Sequence, residues 1–435
     1  MPRQSNNRPE IMGVVRKRKA HTKSRGGCNN CKLRHVKCDE AKPNCKTCVS
    51  FRVTCTYDKL SSTLQAVSEG MFLVNFLSVS LNSQVLTMLH DNVPPSSVSK
   101  RFPFKDQDLE ILNRFHERTI LSIRTDQTVN LYQRESVRLA IQNPFLFHLV
   151  LTVTLMHDRL TLPHYQSPST PTPAELYHHA AGSSHFNALL SLPPCTLTAT
   201  QKDAIFIGAI ILSCTSFAQV ESHLPSTKLW PFVSGDNDLN WLRLCTGKKE
   251  IHKLADVTRP DSSLREVAQE FHLSGGPPVA GIDAEADRKA LSELPKRLVT
   301  LLGLDPYYCQ TPETNVYYTP AVFIGRMMPV NLVGNANSAN LLVCLILVSH
   351  FPQRFMQMLE EKDPRSLLLL AHYYGKIAQS GRWWMWMRAT VEGRAIVEYL
   401  EVYHRGDIGG LEELLEFPRR WCCVEGKFDG PDGMV

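Results

Sequence analysis

Long apolar runs are missing from these 435 residues: the longest, around Ile205–Leu212 and Asn340–Val348, are much too short to span a bilayer, so no membrane partner is expected. Met1–Arg25 is polar and basic with no apolar centre, which argues against a secretory leader and, with it, an exported disulfide-bonded protein. Catalytic signatures are missing too. The chain has no Gly-rich phosphate loop, no His-Glu-x-x-His pair and no Gly-x-Ser-x-Gly elbow, and the expectation is a protein that is not an enzyme. Strand-like alternation is sparse. Acidic residues are nearly absent from the first 57 positions, which hold fourteen Lys or Arg against Glu10, Asp39 and Glu40. That segment carries +11, and the remaining 378 residues carry −5, although the whole chain shows only +6. A basic head on a mildly acidic body points to a polyanionic partner for the head alone.

What is present is concentrated in the same place. Six of the thirteen cysteines fall between positions 28 and 55. The other seven, Cys195, Cys214, Cys245, Cys309, Cys344, Cys422 and Cys423, are scattered and mostly flanked by apolar residues, so they read as buried small hydrophobes, with Cys422 and Cys423 as alternative surface thiols. Cys28, Cys31, Cys38, Cys45, Cys48 and Cys55 follow C-x2-C-x6-C-x6-C-x2-C-x6-C, two copies of one unit joined by a six-residue loop. Zinc takes four ligands in a tetrahedron, and six thiolates fill the eight positions of two ions only if one cysteine of each half bridges. The competing readings are a single-ion finger using Cys28, Cys31, Cys45 and Cys48, a disulfide framework, and an iron–sulfur site. The repeated six-residue spacing favours the two-ion cluster, which employs every cysteine.

The residues between the cysteines suit that chemistry. Lys32-Leu33-Arg34-His35-Val36-Lys37 is long enough for one or two helical turns with its polar members outward, and Val49–Thr54 is a second, less charged turn. Pro43 restricts the linking loop, and the Asp39 and Glu40 carboxylates are placed to accept hydrogen bonds. So little apolar material makes no core, and metal must supply the folding energy. Arg16, Lys17, Arg18 and Lys19, followed by Lys23 and Arg25, fit a nuclear import signal or an arm that contacts phosphates.

This segment resembles the fungal binuclear zinc-cluster (Zn2Cys6) transcription factors in its six cysteines, the basic residues between the second and third, the Cys38-Asp39 pair and the loop Pro43. The resemblance implies six zinc ligands, two zinc ions per chain, Cys28 and Cys45 as the bridges, and nuclear localisation. It also implies that the turn bearing Lys32, Arg34, His35 and Lys37 enters the major groove of double-stranded DNA to read a CGG-like triplet. The family often has Lys or Arg three residues before the third cysteine, where His35 stands here. A neutral imidazole offers one donor and one acceptor where Lys offers a cation, so the departure bears on the CGG rule, while Arg34 and Lys37 keep the charge. One module has a small footprint, and a homodimer or heterodimer is expected to supply the second.

Past Tyr57, apolar residues recur from Leu60 to Val85 at steps near three and four, which suits a short dimerising coiled coil or a plain linker helix. Asp91–Lys100 reads as a flexible connector. From Phe104 the pattern turns helical, with helices expected at Asp106–Ile120, from Pro144, and at Glu175–Leu190, Lys202–Phe217, Glu285–Leu302, Ala339–His350, Arg365–Ile377 and Ala389–Tyr399. Flexible breaks are expected at Ser167–Pro173 and Leu273–Ile282. The expected fold class is a small binuclear zinc-cluster domain followed by a mainly all-α regulatory domain. The divisions are an arm at 1–24, the cluster at 25–57, a linker at 58–103, the helical body at 104–420 and a tail at 421–435. The body resembles the regulatory domain of a group of these fungal factors that includes the sterol-uptake control proteins, on Asp108–Phe115, Leu139–His148, Trp241–Leu244, Ala371–Tyr373 and Trp383-Trp384. That resemblance implies regulation, self-association and a small apolar effector. The Trp383–Met387 cluster reads as core packing, with a ligand pocket as the alternative, Arg382 and Arg388 reading as solvated ends. His178-His179 reads as ordinary surface. The leading functional expectation is a sequence-specific transcription factor of the RNA polymerase II type acting on metabolic or biosynthetic gene clusters. The alternative is a zinc-stapled co-regulator that docks on other proteins with little DNA binding of its own.

Overall fold

The structure is a computed structural model that describes residues 26–28, 31–32, 37–42, 45–50, 55, 57, 85, 106–123, 129–162, 170–235, 238–267, 280–304, 310–332, 344 and 348–424. The chain divides into two compact units, one holding the cysteine-rich segment and the other the helical body. Among the described residues there is no strand, and the fold is a cysteine-rich module followed by an all-α domain. Among the described residues of the first unit the one full helical turn is α1 (Lys46–Ser50). Of the Leu60–Val85 periodicity only Val85 is described, and it is helical and fully buried. The Asp91–Lys100 connector lies outside the described residues.

The body opens with α2 (Asp106–Arg114), which runs through a π turn at Phe115–Thr119 into α3 (Ile120–Ile123). Next come α4 (Val129–Gln142) and α5 (Pro144–Thr161), split where Pro144 removes a backbone donor and starts a new helix after Asn143. In α5 every residue from Phe145 to Arg159 is buried, so this helix is the centre of the first half of the body. It packs against α2, α4, α6 (Pro173–Leu190) and α7 (Ala199–Ala218). Two threonines set the starts of these partners. Thr172 Oγ1 accepts from Glu175 N–H (3.2 Å), and Thr198 and Gln201 form a reciprocal capping box that satisfies two otherwise unpaired donors.

The second half has its own centre. After α8 (Asn240–Ala255) come α9 (Ala284–Ser292), α10 (Lys296–Leu301), α11 (Tyr318–Met327), α12 (Gln353–Glu360), α13 (Pro364–Ala378), α14 (Trp383–His404) and α15 (Leu411–Cys422). In α13 every residue from Ser366 to Ala378 is buried, against α11, α12, α14 and α15. The halves are joined through α7 and α14, which pack on each other. By length and composition α7 could cross a membrane, which the broken apolar run did not suggest, yet 67% of its apolar window is buried in the body.

Several expectations change here. The helix expected over Glu285–Leu302 is two, because Pro295 has no N–H to continue the first and instead leads into the second. The helix expected over Ala389–Tyr399 begins earlier, at Trp383, which draws the aromatic cluster into its first turn. Trp383, Trp384, Met385 and Trp386 are all buried core. Arg388 is not a solvated end: it is buried, its Nε donates to Phe217 O (2.8 Å) and its Nη2 to Ser216 O (3.1 Å) and Gln219 O (2.6 Å), and it pairs with Glu392. A cation there satisfies carbonyls that the C-terminus of α7 leaves unpaired. Arg382 is half-buried and donates to Ser122 O (3.2 Å). Among the later cysteines Cys214, Cys245, Cys344 and Cys422 are buried, Cys423 is half-buried and Cys195 is exposed, while Cys309 lies outside the described residues. Within the expected Ala339–His350 helix, Cys344 and Val348 are helical, and most of the segment is outside the described residues.

A candidate zinc cluster and nucleic-acid interface

Each half of the cysteine segment folds around its own C-x2-C turn. Lys32 N–H donates to Cys28 O (3.1 Å), and Val49 N–H donates to Cys45 O (3.0 Å), so both pairs begin a helical turn. The turn aims the second amide of each pair back at the first sulfur: Cys31 N–H to Cys28 Sγ is 3.4 Å, and Cys48 N–H to Cys45 Sγ is 3.2 Å. The third cysteine of each unit then receives the amide of the first, Cys28 N–H to Cys38 Sγ at 3.4 Å and Cys45 N–H to Cys55 Sγ at 3.2 Å. Exchanging Cys28, Cys31 and Cys38 for Cys45, Cys48 and Cys55 maps each contact onto its counterpart. The sequence repeat is therefore a twofold repeat in space.

Four sulfurs form the middle of the cluster. Cys28 lies 3.8 Å from Cys45 and 3.5 Å from Cys48, and Cys31 lies 3.7 Å from Cys45 and 3.9 Å from Cys48, measured between Sγ atoms. Tetrahedral zinc with Zn–S near 2.3 Å has a sulfur–sulfur edge of about 3.8 Å, so this donor set fits zinc in type and spacing. The remaining two sulfurs attach symmetrically, Cys38 beside Cys45 and Cys55 beside Cys28. All but Cys55 are buried. Burial acts to raise the Cys28 thiol, but hydrogen bonds from Cys31 N–H and from the Cys48, Cys31 and Cys55 thiols hold it down at about 6. Burial, and then hydrogen bonding to neighbouring sulfurs, pushes the Cys31 and Cys48 thiols up.

The frame around the sulfurs is polar. Both Asp39 carboxylate oxygens accept from Lys46 N–H (2.9 and 3.1 Å), which caps α1, as expected of a carboxylate after the third cysteine. Glu40 Oε1 accepts from Gly26 N–H (3.0 Å), and Thr47 Oγ1 donates to Lys37 O (3.1 Å), tying the second half to the first. Tyr57 was not singled out from sequence. Its hydroxyl donates to Ala41 O (3.0 Å) and lies 3.8 Å from Cys38 Sγ, and Lys42 Nζ sits 5.5 Å from its ring centre. An aromatic residue two positions after the last cysteine was the available signal. Of the residues expected to contact DNA, Lys32 and Lys37 are exposed beside the first half of the cluster. Arg16, Lys17, Arg18, Lys19, Lys23, Arg25, Arg34 and His35 lie outside the described residues.

Residues 26–64 match the fungal Zn(2)-Cys(6) binuclear cluster domain. The chain is similar to Sterol uptake control protein 2 of Saccharomyces cerevisiae, 34% identical over 90 residues, which is 21% of this chain and 10% of that protein. It is also similar to the Zn(2)-C6 fungal-type transcription factor afumD of Aspergillus fumigatus, 23% identical over 392 residues, 86% of this chain and 89% of that protein. Pestheic acid cluster transcriptional regulator 3 of Pestalotiopsis fici is 54% identical over 33 residues, 8% of this chain and 6% of that protein. The yeast match spans a tenth of its protein and covers too little of this chain to carry a resemblance across 105–400, whereas the Aspergillus match runs along most of both chains. The match to the fungal Zn(2)-Cys(6) binuclear cluster domain covers residues 26–64, the stretch that holds all six clustered cysteines.

Proposed function

We propose that this protein is a DNA-binding transcription factor, not a catalyst, whose six clustered cysteines hold two zinc ions with Cys28 and Cys45 shared between them. The observation that carries the reading is the twofold sulfur cluster: all four central sulfurs touch the opposite half, and Cys28 and Cys45 each also have the opposite half's third cysteine beside them, Cys55 and Cys38 respectively. A single ion on Cys28, Cys31, Cys45 and Cys48 would leave Cys38 and Cys55 without work, although each receives a backbone N–H in the manner of a ligand thiolate. The metal supplies the folding energy that this small module lacks.

On that scaffold Lys32 and Lys37, with Arg34 and His35 between them, read a CGG-like triplet in the major groove. Arginine or lysine on guanine O6 and N7 contributes about 1 to 3 kcal/mol of discrimination per good pair. Arg16–Lys19, Lys23 and Arg25 contact phosphates, and the protein acts in the nucleus, on genes of a metabolic or biosynthetic cluster. The Aspergillus relative's name, a transcription factor, supports the regulatory role, and the Pestalotiopsis relative's name, a cluster transcriptional regulator, supports the gene-cluster setting. A second copy or a partner protein supplies the second half-site.

Duplex selection with the zinc-loaded full chain tests this. Enrichment of CGG-like triplets, with two zinc ions per chain held by the clustered cysteines, is the expected result, and Cys31→Ser is expected to abolish specific binding while the helical body stays folded by circular dichroism. A cysteine cluster filled with two ions but giving no enriched motif would sink autonomous DNA reading in favour of a co-regulator that docks on other proteins.

A further inference from the structure

The histidine pair expected at the surface is split by the fold: His178 is buried and His179 half-buried. The cause is the packing of α6 on α5. At Gly182 a side chain would meet Leu149 Cδ2 at 2.7 Å and Leu149 N at 3.2 Å, so the glycine lets the helices approach closely at that level. His148, next to Leu149, and His178, one turn before Gly182, are thereby brought face to face. Their Nδ1 atoms are 2.8 Å apart and their ring centres 5.1 Å. On the same side of α6, seven residues on from His178, the exposed His185 has its ring centre 6.1 Å from that of His148. From α2, the Asp108 carboxylate faces the other nitrogen of His178, Nε2, at 3.8 Å.

We propose that His148, His178 and His185 form a binding site for a divalent transition-metal ion of the zinc class, with Asp108 orienting His178. At 3.8 Å the Asp108 carboxylate is beyond hydrogen-bond length, but its charge favours the proton on the far nitrogen of His178 and leaves the near nitrogen with a lone pair, and closing that gap would give the usual support of a metal-bound histidine. Nδ1 of His178 then offers its lone pair toward Nδ1 of His148. Without metal, His148 Nδ1–H fills that space as a hydrogen bond. With metal, its proton resides on Nε2 and both Nδ1 atoms face the ion. Zinc holds imidazole nitrogens at about 2.0 to 2.1 Å, which in a tetrahedron sets them roughly 3.3 Å apart, so the pair opens by only about half an ångström. His185 completes three ligands by rotation of its exposed side chain. An all-nitrogen set selects zinc, nickel or copper over magnesium or calcium. The ion would clamp α5 to α6 within the body and is independent of the cysteine cluster.

The test is zinc titration of the zinc-loaded full chain by calorimetry, with bound zinc counted after dialysis into zinc-buffered solution. The wild type is expected to hold one ion per chain more than His185→Gln, whose exposed position leaves the fold intact. Asp108→Asn is expected to weaken that ion about 10- to 100-fold. The exposed His223→Gln is the control and is expected to match the wild type. An unchanged zinc count and affinity in His185→Gln, or an equal loss in His223→Gln, overturns the site. Neither outcome bears on DNA reading by the cysteine cluster.

Discussion

Arg159 on α5 donates through Nε to Glu175 Oε2 and through Nη2 to Glu175 Oε1 on α6, each at 2.8 Å, and both side chains are almost fully buried. Two parallel charge-assisted bonds between residues this buried leave the partner with an uncompensated charge when either is removed. Arg159→Ala is therefore expected to destabilise the body by about 3 to 5 kcal/mol in urea unfolding. Arg243 pairs with Glu360 at the same 2.8 Å, but both side chains are 46% exposed, and Arg243→Ala is expected to cost about 1 kcal/mol or less. Equal losses at the two positions would show that burial does not set the strength of these pairs. At this scale the cysteines were legible and the ion pairs were not. The six cysteines lie within 28 consecutive positions, and ligand geometry constrains their spacing. Arg159 and Glu175 are ordinary surface-type residues until α5 and α6 are packed. Asp203 behaves the same way, accepting from Ser262 Oγ (2.9 Å), Ser263 N–H (2.8 Å) and Arg259 across some sixty residues of sequence.

At the scale of elements, glycines test how helices meet. Gly182 lies against Leu149, where an added methyl overlaps a side chain and crowds a backbone nitrogen. Gly247, exposed on α8, has nothing within 4 Å of the same methyl. Helix propensity alone favours alanine at both by about 1 kcal/mol. Gly247→Ala is expected to raise the thermal midpoint, whereas Gly182→Ala is expected to lower it, because overpacking of about 1 to 3 kcal/mol exceeds the propensity gain. A rise in both would mean that α5 and α6 separate without cost. The positions of α6, α7 and α13 were readable from apolar periodicity, although Pro173, placed in the preceding break, is the first residue of α6, and the closeness of α5 and α6 was not readable. A glycine within a helical pattern looks the same whether it faces solvent or another helix. The break at Pro295 was legible and was passed over, since the apolar residues on either side of it continue one helical period. In the cysteine segment local chemistry reached further, and Asp39 was placed near the hydrogen bonds that it makes as the cap of α1.

Across the whole molecule the charge split gives the proposed DNA reading a physical signature. The first 57 residues carry +11 and the rest −5, so a phosphate backbone attracts the head and not the body. Each cation that neutralises a phosphate releases condensed counterion, and the logarithm of the affinity falls with the logarithm of salt by about 0.9 per contact on B-form DNA. Replacing Arg16, Lys17, Arg18 and Lys19 by alanine is expected to reduce that slope by about 3 to 4 in anisotropy titrations while leaving the selected triplet unchanged, because phosphate contacts position a protein and base contacts specify the sequence. Lys37→Ala, at an exposed position beside the cluster, is expected to reduce discrimination between the selected site and its mismatches. If the arm substitutions altered the selected triplet, the arm would be reading bases, and the division of labour between a phosphate-binding arm and a base-reading cluster would be wrong. If they left the slope unchanged, the basic arm would lie away from the duplex, and nuclear import would be the reading of Arg16–Lys19 that survives.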